Sequence, residues 1–398
     1  MASATIRYRE LQGSGPGYLL LLAVLGALVL GGLAGAWSME HQGHHITGMD
    51  NQVVWGLPHV FAVFLIVAAS GALNVASIGS VFGDLAYKPL ARLSALLALA
   101  LLAGGLSILV LDLGRPDRLL VAMTTYNFKS IFAWNIFLYN GFFVIVGAYL
   151  WTLMDRSVAG YNRGVGLLAF VWRLVLTTGT GSIFGFLVAR EAYDAAVLAP
   201  LFIVLSLAFG TAIFLLVMLA AFAGSGRPLG ARLVLRLGRL LGVFVAAALL
   251  LVAIHHLTNL YAAEHAAAER LLLVAGGAVT QLFWFGQVLL GSLLPLWLLF
   301  HPSCRGSQAC LVIAAVLVVL GGLATMYVII IGGQSLPLTI FPGMEVSSSF
   351  YDGSFAAYAP SLPELALGLG GSALALALVV VGLRVLAFLP DGLPDAGE

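Results

Sequence analysis

The segment from Leu111 to Ser130 concentrates ionisable side chains in a chain that has few of them. Five charged residues stand there between two long apolar runs: Asp112, Arg115, Asp117, Arg118 and Lys129. Ionisable groups crowded at a membrane boundary are costly in free energy unless they pair or meet a ligand. The cluster therefore predicts a functional site, and the alternative is a structural pair of Asp112 and Arg115 that closes a loop.

The composition predicts an all-α, polytopic integral membrane protein. Hydrophobic residues are 61% of the 398 residues and charged residues 9%, against about 25% charged residues in a soluble domain. The apolar residues form blocks of roughly 20, the length that a helix needs to cross the hydrocarbon core of a bilayer. Ten spans are predicted within a single domain of residues 1–398: Tyr18–Trp37, Val53–Ser77, Pro89–Leu111, Ile131–Met154, Val165–Ala189, Val197–Ala223, Leu240–Tyr261, Leu271–Phe300, Cys310–Ile331 and Leu362–Leu386.

The distribution of Lys and Arg predicts the orientation. They are concentrated in the loops on the side of the two termini, which by the positive-inside rule places both termini in the cytoplasm. The Asp112–Ser130 segment and a long loop over residues 334–361 then face outward. His41, His44 and His45 lie in another outer loop without acidic neighbours of metal-ligand type, so we interpret them as surface histidines and predict no metal site.

Most polar residues of the predicted spans fall in the outer half of the membrane, whereas independent helix-end anchors would occur equally at both faces. At 1.5 Å per residue, His59 lies about two turns inside the second span. A histidine in this position can also be packed in the core with its ring bonded to a carbonyl. The other residues of this set are Asp112, Asn135, Glu191, His255, His256 and Gln281.

The net charge of +1 gives no nucleic-acid-binding footprint. The sequence has two cysteines, Cys304 and Cys310, and their spacing matches no zinc, c-haem or iron–sulfur pattern. Redox chemistry would therefore need a diffusible carrier or one held by a partner.

The run Asp112-Leu-Gly-Arg-Pro116, followed by Asn127, Ser130 and Trp134, resembles a signature of the NrfD/PsrC family of membrane subunits of polysulfide-reductase-like oxidoreductases. Ten spans resemble the longer branch of that family. The opening of the second span, Gly48–His59, looks most like the DsrP-type subunit of the DsrMKJOP sulfur-metabolism complex. The matching motifs cover about residues 48–134.

This resemblance implies a quinone-interacting subunit in the cytoplasmic (inner) membrane of a bacterium. It would exchange electrons between menaquinone or ubiquinone and a periplasmic ferredoxin-like iron–sulfur subunit, together with further redox subunits, in sulfur-compound respiration or oxidation. It would bind no haem and no iron–sulfur cluster itself.

The predicted quinone site has hydrogen-bond donors at both ends of a flat apolar slot, because the head group has two carbonyl oxygens. We assign His59 and Tyr126 as the donors, since the pKa of histidine suits proton exchange. Asp112 would relay a proton or orient Arg115, and Ser130 and Asn135 would form the rim.

Two further sets of residues are predicted around this site. A partial water-filled proton path would run along the fifth span, where a mid-membrane Arg173 costs roughly 2.5–3.5 kcal/mol on insertion scales unless it snorkels to the cytoplasm. The set consists of Arg173, Glu191, Asn74, His255 and His256. The iron–sulfur subunit would dock on the outer surface at Arg118, Lys129, Phe350 and Tyr351.

Two other functions remain open. A secondary transporter also has polar midplane residues, although it more often shows paired broken helices in two halves. A b-type cytochrome needs axial histidines on facing helices, and His59 with His255 or His256 could supply one pair.

Overall fold

The computed structural model describes residues 6–12, 15–338 and 355–395. Within these residues lie ten helices long and apolar enough to cross a membrane, so the predicted all-α membrane fold is confirmed. They are α1 (Pro16–Gln42), α2 (Leu57–Ser80), α3 (Lys88–Leu111), α4 (Ile131–Met154), α5 (Ala159–Gly185), α6 (Leu198–Ser225), α7 (Ala231–Tyr261), α8 (Ala278–Phe300), α9 (Gln308–Ser335) and α10 (Leu362–Val385).

Short elements connect these helices. Two strands, β1 (Tyr8–Arg9) and β2 (Leu389–Pro390), pair antiparallel, which holds the two ends of the described chain together at one end of the bundle. The connections also contain short helical segments: His44–Ile46, Pro116–Arg118, Leu119–Thr124, Ala263–His265, Ala266–Arg270, Leu271–Ala275 and Pro302–Cys304.

Several predicted boundaries were wrong. Helix α2 begins at Leu57 and not at Val53, because the Asp50 carboxylate binds the amides of Gln52 and Val53 in a turn. His59 is therefore in the first turn of α2 and not two turns inside it.

Other helix ends also differ from the predicted spans, among them the start of α7, which lies at Ala231 and not at Leu240. Helix α8 begins at Ala278 and not at Leu271, since Gly277 has a φ of +56° that ends the preceding segment. Helix α5 ends at Gly185, which leaves Glu191 in a loop. Gln334 belongs to α9 and not to the predicted loop over residues 334–361, of which residues 339–354 lie outside the described residues.

The helices form two rings of four and a flanking pair. In the first ring α2 packs on α3, α3 on α4, α4 on α5 and α5 on α2, and α6 to α9 repeat this pattern in the second ring. Helices α1 and α10 pack on each other, and α10 also packs on α2 and α3. Helix α2 is central, since it also contacts α6 and α9 of the second ring.

Small residues allow the two rings to approach closely. Gly71 of α2 lies against the backbone of Ser206 in α6, and Gly210 of α6 lies against the backbone of Gly71 and Ala72. A side chain at either glycine would overlap backbone atoms. The α2–α6 interface is thus a small-residue contact, the packing mode that brings membrane helices together without a hydrophobic driving force.

Candidate functional site at the Asp112 end of α3

Two histidines flank a buried carboxylate where α3 ends. His59 Nδ1 lies 3.0 Å from Asp112 Oδ2, and His44 Nε2 lies 3.9 Å from Asp112 Oδ1 and 3.1 Å from the Asp112 carbonyl oxygen. The Asp112 side chain is 1% exposed, whereas those of His59 and His44 are 23% and 30% exposed. The three side chains therefore form a row in which the buried carboxylate lies between two more exposed histidines.

The ends of two helices position this row. Helix α3 stops at Leu111, and the Asp112 amide still donates to the Ile108 carbonyl at 2.9 Å, so the carboxylate sits at the last turn. Pro58 occupies the first turn of α2, a position where its missing N–H costs nothing. His59 follows it and faces Asp112. In the structure His59 and Asp112 lie close together, as predicted.

The loop before α2 is fixed by a buried glutamine of α9. Gln334 is 0% exposed, and its Oε1 accepts from the amides of Val54 and Trp55 at 3.0 and 3.1 Å. Its Nε2 donates to the Trp55 carbonyl at 3.0 Å. Arg190 donates to the carbonyls of Gln52 and Gln334 at 2.8 and 3.2 Å. These bonds hold Trp55 and His59 in place from the second ring.

A second buried polar group fixes the same loop from α10. Glu364 is 0% exposed and accepts from the Gly48 amide at 2.8 Å and from the Tyr358 hydroxyl at 2.6 Å. The Tyr358 hydroxyl in turn accepts from the Leu57 amide at 2.7 Å. Burial, with the bond to Glu364, raises the pKa of Tyr358. The loop that carries the site is thus held by charge-assisted hydrogen bonds, which are stronger than neutral ones.

Aromatic rings form an apolar wall beside His59. The Trp55 ring is 6.3 Å from His59, 6.0 Å from Phe132, 5.9 Å from Phe184 and 6.4 Å from Tyr193, measured between ring centroids. These partners come from α2, α4, α5 and the α5–α6 loop. The Trp55 indole N–H makes no hydrogen bond with any described residue, so it can donate to a ligand.

Buried atoms around this wall retain free hydrogen-bonding capacity. His59 Nδ1, both Asp112 carboxylate oxygens, Asn135 Oδ1 and Gln52 Oε1 make no aligned hydrogen bond within the described chain. Asn135 is 2% exposed and its Nδ2 donates to the carbonyls of Ile131 and Gly179. Buried polar atoms are nearly always satisfied. Four of these five atoms are acceptors, so they suit a ligand that carries hydroxyl groups.

The other predicted quinone-site residues lie apart from this row. Arg115 pairs with Asp117, with Nη2 and Oδ2 2.9 Å apart, so the expected pairing of Asp112 with Arg115 is wrong. The Arg115 guanidinium lowers the pKa of the exposed Asp117. Tyr126 packs on Phe137 at 4.4 Å, and no hydrogen bond joins it to His59 within the described residues. Ser130 precedes α4 without capping it.

The predicted docking residues are partly described. Arg118 and Lys129 are exposed on the segment between α3 and α4, whereas Phe350 and Tyr351 lie outside the described residues. The same segment and the start of α4 expose large apolar side chains: Leu120, Val121, Phe128, Phe132 and Trp134 are 45–70% exposed. Basic and aromatic groups therefore share one surface next to the His59–Asp112 row.

Arg173 is buried in the first ring. It is 2% exposed, and its Nη2 donates to Asn74 Oδ1 at 2.8 Å. Its Nε and Nη1 have no hydrogen-bond partner in the described part of the molecule, and its guanidinium lies 4.8 Å from the Phe170 ring centre. Arg173 and Asn74 are therefore in contact, and Arg173 does not snorkel to the surface.

The remaining residues of the predicted proton path lie in the second ring. His256 Nδ1 is 2.8 Å from Glu269 Oε2, and Asn259 donates to Glu269 Oε1 at 3.0 Å. His255 is buried beside them with its Nδ1 unpartnered among the described residues. These three groups, His255, His256 and Glu269, have ligand atoms within 4.8 Å of one another and could hold a metal ion. The predicted path thus divides into two separate clusters.

Glu191 contacts the connection between α7 and α8 through its backbone. Its carbonyl oxygen accepts from His265 Nδ1 at 2.6 Å. His59 is engaged with Asp112 in the first ring, while His256 is engaged with Glu269 in the second. This geometry gives no support to a haem held between His59 and His255 or His256.

Sequence reasoning missed several of these residues. His44 was interpreted as a surface histidine, and only its place in a loop next to the motif hinted at more. Glu269 and Glu364 were also missed, although both are buried. The available signal for a buried role was that each is an acidic residue beside an apolar run. Gln281 was placed in the bundle, but Gln287 is the buried glutamine of α8. It lies in the π-helical stretch Leu282–Leu293, which changes the helix face that points inward.

Comparisons with known proteins match this architecture. The family model "Polysulphide reductase, NrfD" covers residues 45–337. The protein is 27% identical over 388 residues to the "Hdr-like menaquinol oxidoreductase integral membrane subunit" of Archaeoglobus fulgidus, with 97% of both proteins covered. It is 30% identical to a putative dimethyl sulfoxide reductase membrane subunit of Halobacterium salinarum, covering 96% of this protein and 93% of the relative.

A shorter relative matches as well. A polysulfide reductase chain of Wolinella succinogenes is 26% identical, and the match covers 72% of the present protein and 96% of that relative. The family model spans most of the ten-helix bundle, including His59, Asp112 and both four-helix rings. The protein therefore belongs to the NrfD family of polysulfide-reductase-type membrane proteins.

Proposed function

We propose that this protein is the quinone-interacting membrane subunit of a multi-subunit oxidoreductase and that His59, Asp112 and Trp55 form its quinone site. The observation that carries the proposal is the His59–Asp112 pair, 3.0 Å apart beside the Trp55 ring. The names of the relatives support it, since one of them is a menaquinol oxidoreductase subunit. We therefore propose menaquinone rather than ubiquinone.

The residues at the site fit a quinone head group. The His59 imidazole and the Trp55 indole offer donors to its two oxygens, and Asn135 Oδ1 offers an acceptor for a quinol hydroxyl. Phe132, which is 45% exposed beside the Trp55 ring, supplies apolar surface for the ligand ring. This replaces Tyr126, the donor expected from the sequence, with Trp55.

A bound quinol supplies two electrons and two protons, and the protein handles the protons. His59 accepts a proton as a general base, the role that histidine takes most often in enzymes. Asp112 stabilises the protonated imidazole through the 3.0 Å contact and passes the proton to His44. His44 is more exposed than Asp112, so it releases the proton to solvent.

The electrons leave through a partner protein. We propose that a periplasmic ferredoxin-like iron–sulfur subunit docks on the surface formed by Arg118, Lys129 and the exposed side chains of Phe128 and Trp134. Aromatic residues and Arg are enriched in protein interfaces. Further redox subunits would complete the complex, and a role in sulfur-compound respiration or oxidation is in keeping with the polysulfide reductase relative.

The proposed orientation in the cytoplasmic membrane places both termini in the cytoplasm. The pairing of β1 with β2 brings the two ends of the described chain to one end of the bundle. Arginines concentrate at that same end, where the positive-inside rule puts the cytoplasm. The His59–Asp112 pair lies at the other end of the bundle, where α2 begins and α3 ends. In this orientation that end faces the periplasm.

We also propose a proton path through the first ring. Arg173 keeps its charge, so it cannot relay protons itself. Its Nε and Nη1, unpartnered among the described residues, can hold water between α2 and α5, with Asn74 fixing the guanidinium. The His255–His256–Glu269 cluster would act as a second, separate proton-exchanging group.

Binding of a quinol analogue tests the proposed site. Purified protein is titrated with a hydroxyquinoline N-oxide, a quinol analogue whose fluorescence is quenched when it binds. Asp112→Asn should weaken binding at least tenfold, because the charge that stabilises protonated His59 is lost. His45→Ala, a change in the same outer region without contact to Asp112, is the control. Equal binding by the wild type and Asp112→Asn would exclude this site.

A further inference from the structure

The strongest unassigned feature lies at the opposite end of the molecule from the His59–Asp112 pair. Two adjoining cavities of about 280 and 380 Å³ flank the first turns of α7. Both are lined by Leu235, Gly306, Ser307 and Leu311, so together they form one groove around α7. We call it the α7 groove.

The α7 groove has a positively charged floor without an acidic counterpart. Arg239 of α7 and Arg305 of the α8–α9 loop line the larger cavity. No carboxylate pairs with either of them within the described residues. By contrast, Arg236, one helical turn before Arg239, lies 3.8 Å from Asp84. Arg239 and Arg305 are thus left to pair with an external anion.

The start of α9 adds to the positive potential. Ser307 and Gln308, which open this helix, line the smaller cavity. The N-terminus of a helix carries a partial positive charge and free amides, which suit phosphate groups. Gly306 has a φ of +88° and open space where a Cβ would stand, so no side chain obstructs the groove at this position.

The walls of the α7 groove are apolar. Leu298, Leu299 and Phe300 of α8 line one side, and Leu219 and Phe222 of α6 line the other. Phe300 is 52% exposed at the end of a membrane-spanning helix. A ligand in this groove therefore needs an anionic head and apolar tails.

We propose that the α7 groove binds an anionic phospholipid, with its phosphate between Arg239 and Arg305 and its acyl chains along Phe300 and Phe222. Basic pockets between membrane helices at the boundary bind such head groups. Arg227, which also lines the groove, is excluded as a ligand because its guanidinium already donates to the carbonyls of Glu10, Leu389 and Pro390.

Native mass spectrometry of the purified, delipidated full-length protein tests this proposal. It is titrated in separate arms with phosphatidylglycerol, phosphatidylcholine and inorganic phosphate. The double variant Arg239→Gln/Arg305→Gln should bind phosphatidylglycerol about 30-fold more weakly than the wild type, at about 1 kcal/mol for each arginine. The charge-matched control is Arg232→Gln/Arg236→Gln, which should bind it as the wild type does.

Three outcomes would overturn the proposal. Equal losses in the two double variants would show diffuse surface charge rather than a site. Wild-type binding of phosphatidylcholine as strong as that of phosphatidylglycerol would show that charge plays no part. Saturation by inorganic phosphate at the same concentration as the lipid would assign the groove to a free anion. Melting temperatures of both double variants within a few degrees of the wild type confirm that they are folded.

Discussion

His59 and Asp112 come from the beginning of one membrane helix and the end of the next, and their side chains meet with Nδ1 3.0 Å from Oδ2. The carboxylate is almost fully buried and the imidazole is partly exposed. An acid–base pair with this gradient of burial can take a proton from a ligand on one side and release it on the other. His44, on the far side of Asp112, continues the row.

Trp55 should affect quinone affinity more than turnover. The Trp55→Leu variant loses the ring that contacts His59, Phe132 and Phe184, and aromatic pairs contribute about 0.5–1.5 kcal/mol each. We expect the KM for quinol to rise about tenfold in the assembled complex while kcat falls less than threefold. Trp297→Leu, at the opposite end of the bundle, is the control. A fall in kcat without a change in KM would remove Trp55 from the binding wall.

Arg173 should be needed for proton movement. In proteoliposomes that contain the whole complex, Arg173→Leu should reduce quinone-coupled pH changes severalfold, because it removes the unpartnered Nε and Nη1 that we propose to hold water. Arg163→Leu removes an exposed arginine from the same helix and serves as the control. Unaltered pH changes together with unaltered turnover in Arg173→Leu would show that this arginine is structural.

Tyr358 should make stability fall at alkaline pH. Its pKa is raised in the folded protein, mainly by burial and then by the bond to Glu364. The neutral hydroxyl therefore contributes stability that is fully present below the unfolded pKa near 10 and is lost as the pH rises above it.

Melting temperatures at about pH 8 and about pH 11 measure this effect. The wild type should lose more stability between these two pH values than Tyr358→Phe does. At pH 8 the variant should already be less stable by about 1–3 kcal/mol, because Glu364 and the Leu57 amide lose a hydrogen-bond partner. Tyr261→Phe, which changes a 95% exposed tyrosine, should behave as the wild type does. Equal alkaline losses in all three proteins would refute the linkage.

Gly210 should tolerate no side chain. Gly210→Leu would place atoms on the backbone of Gly71 and Ala72 in α2, and overpacking of this kind costs about 1–3 kcal/mol. We expect a melting temperature several degrees lower and reduced quinol turnover, since α2 carries His59. Gly26→Leu, at a position with open space for a side chain, is the control and should melt as the wild type does. A wild-type melting temperature for Gly210→Leu would contradict the close contact between the two rings.

The sequence predicted the membrane fold because apolar blocks of helical length leave little alternative, and the ten helices were found with shifted ends. It also predicted that His59 and Asp112 lie together. It did not predict Trp55 or His44, because their positions depend on how Gln334 and Glu364 hold a loop from distant helices. Arg115 was misassigned because a neighbouring Asp117 competes for it.

The second ring was less predictable for a related reason. Glu269 reaches His256 only because the short helices Ala263–His265 and Ala266–Arg270 fold back onto α7. Hydrophobic periodicity carries no information on such a fold-back. The π-helical stretch of α8 contains the buried Gln287, and the sequence analysis named only Gln281 of this helix.

The central claim is that quinol is oxidised at the His59–Asp112 pair, and quinol turnover by the assembled complex tests it most directly. His59→Ala should lower kcat by about 10²-fold or more, as expected for loss of a general base, with the same set of subunits assembled. His45→Ala should leave kcat within twofold of the wild type. Wild-type turnover in an intact complex that carries both His59→Ala and Asp112→Asn would contradict the account.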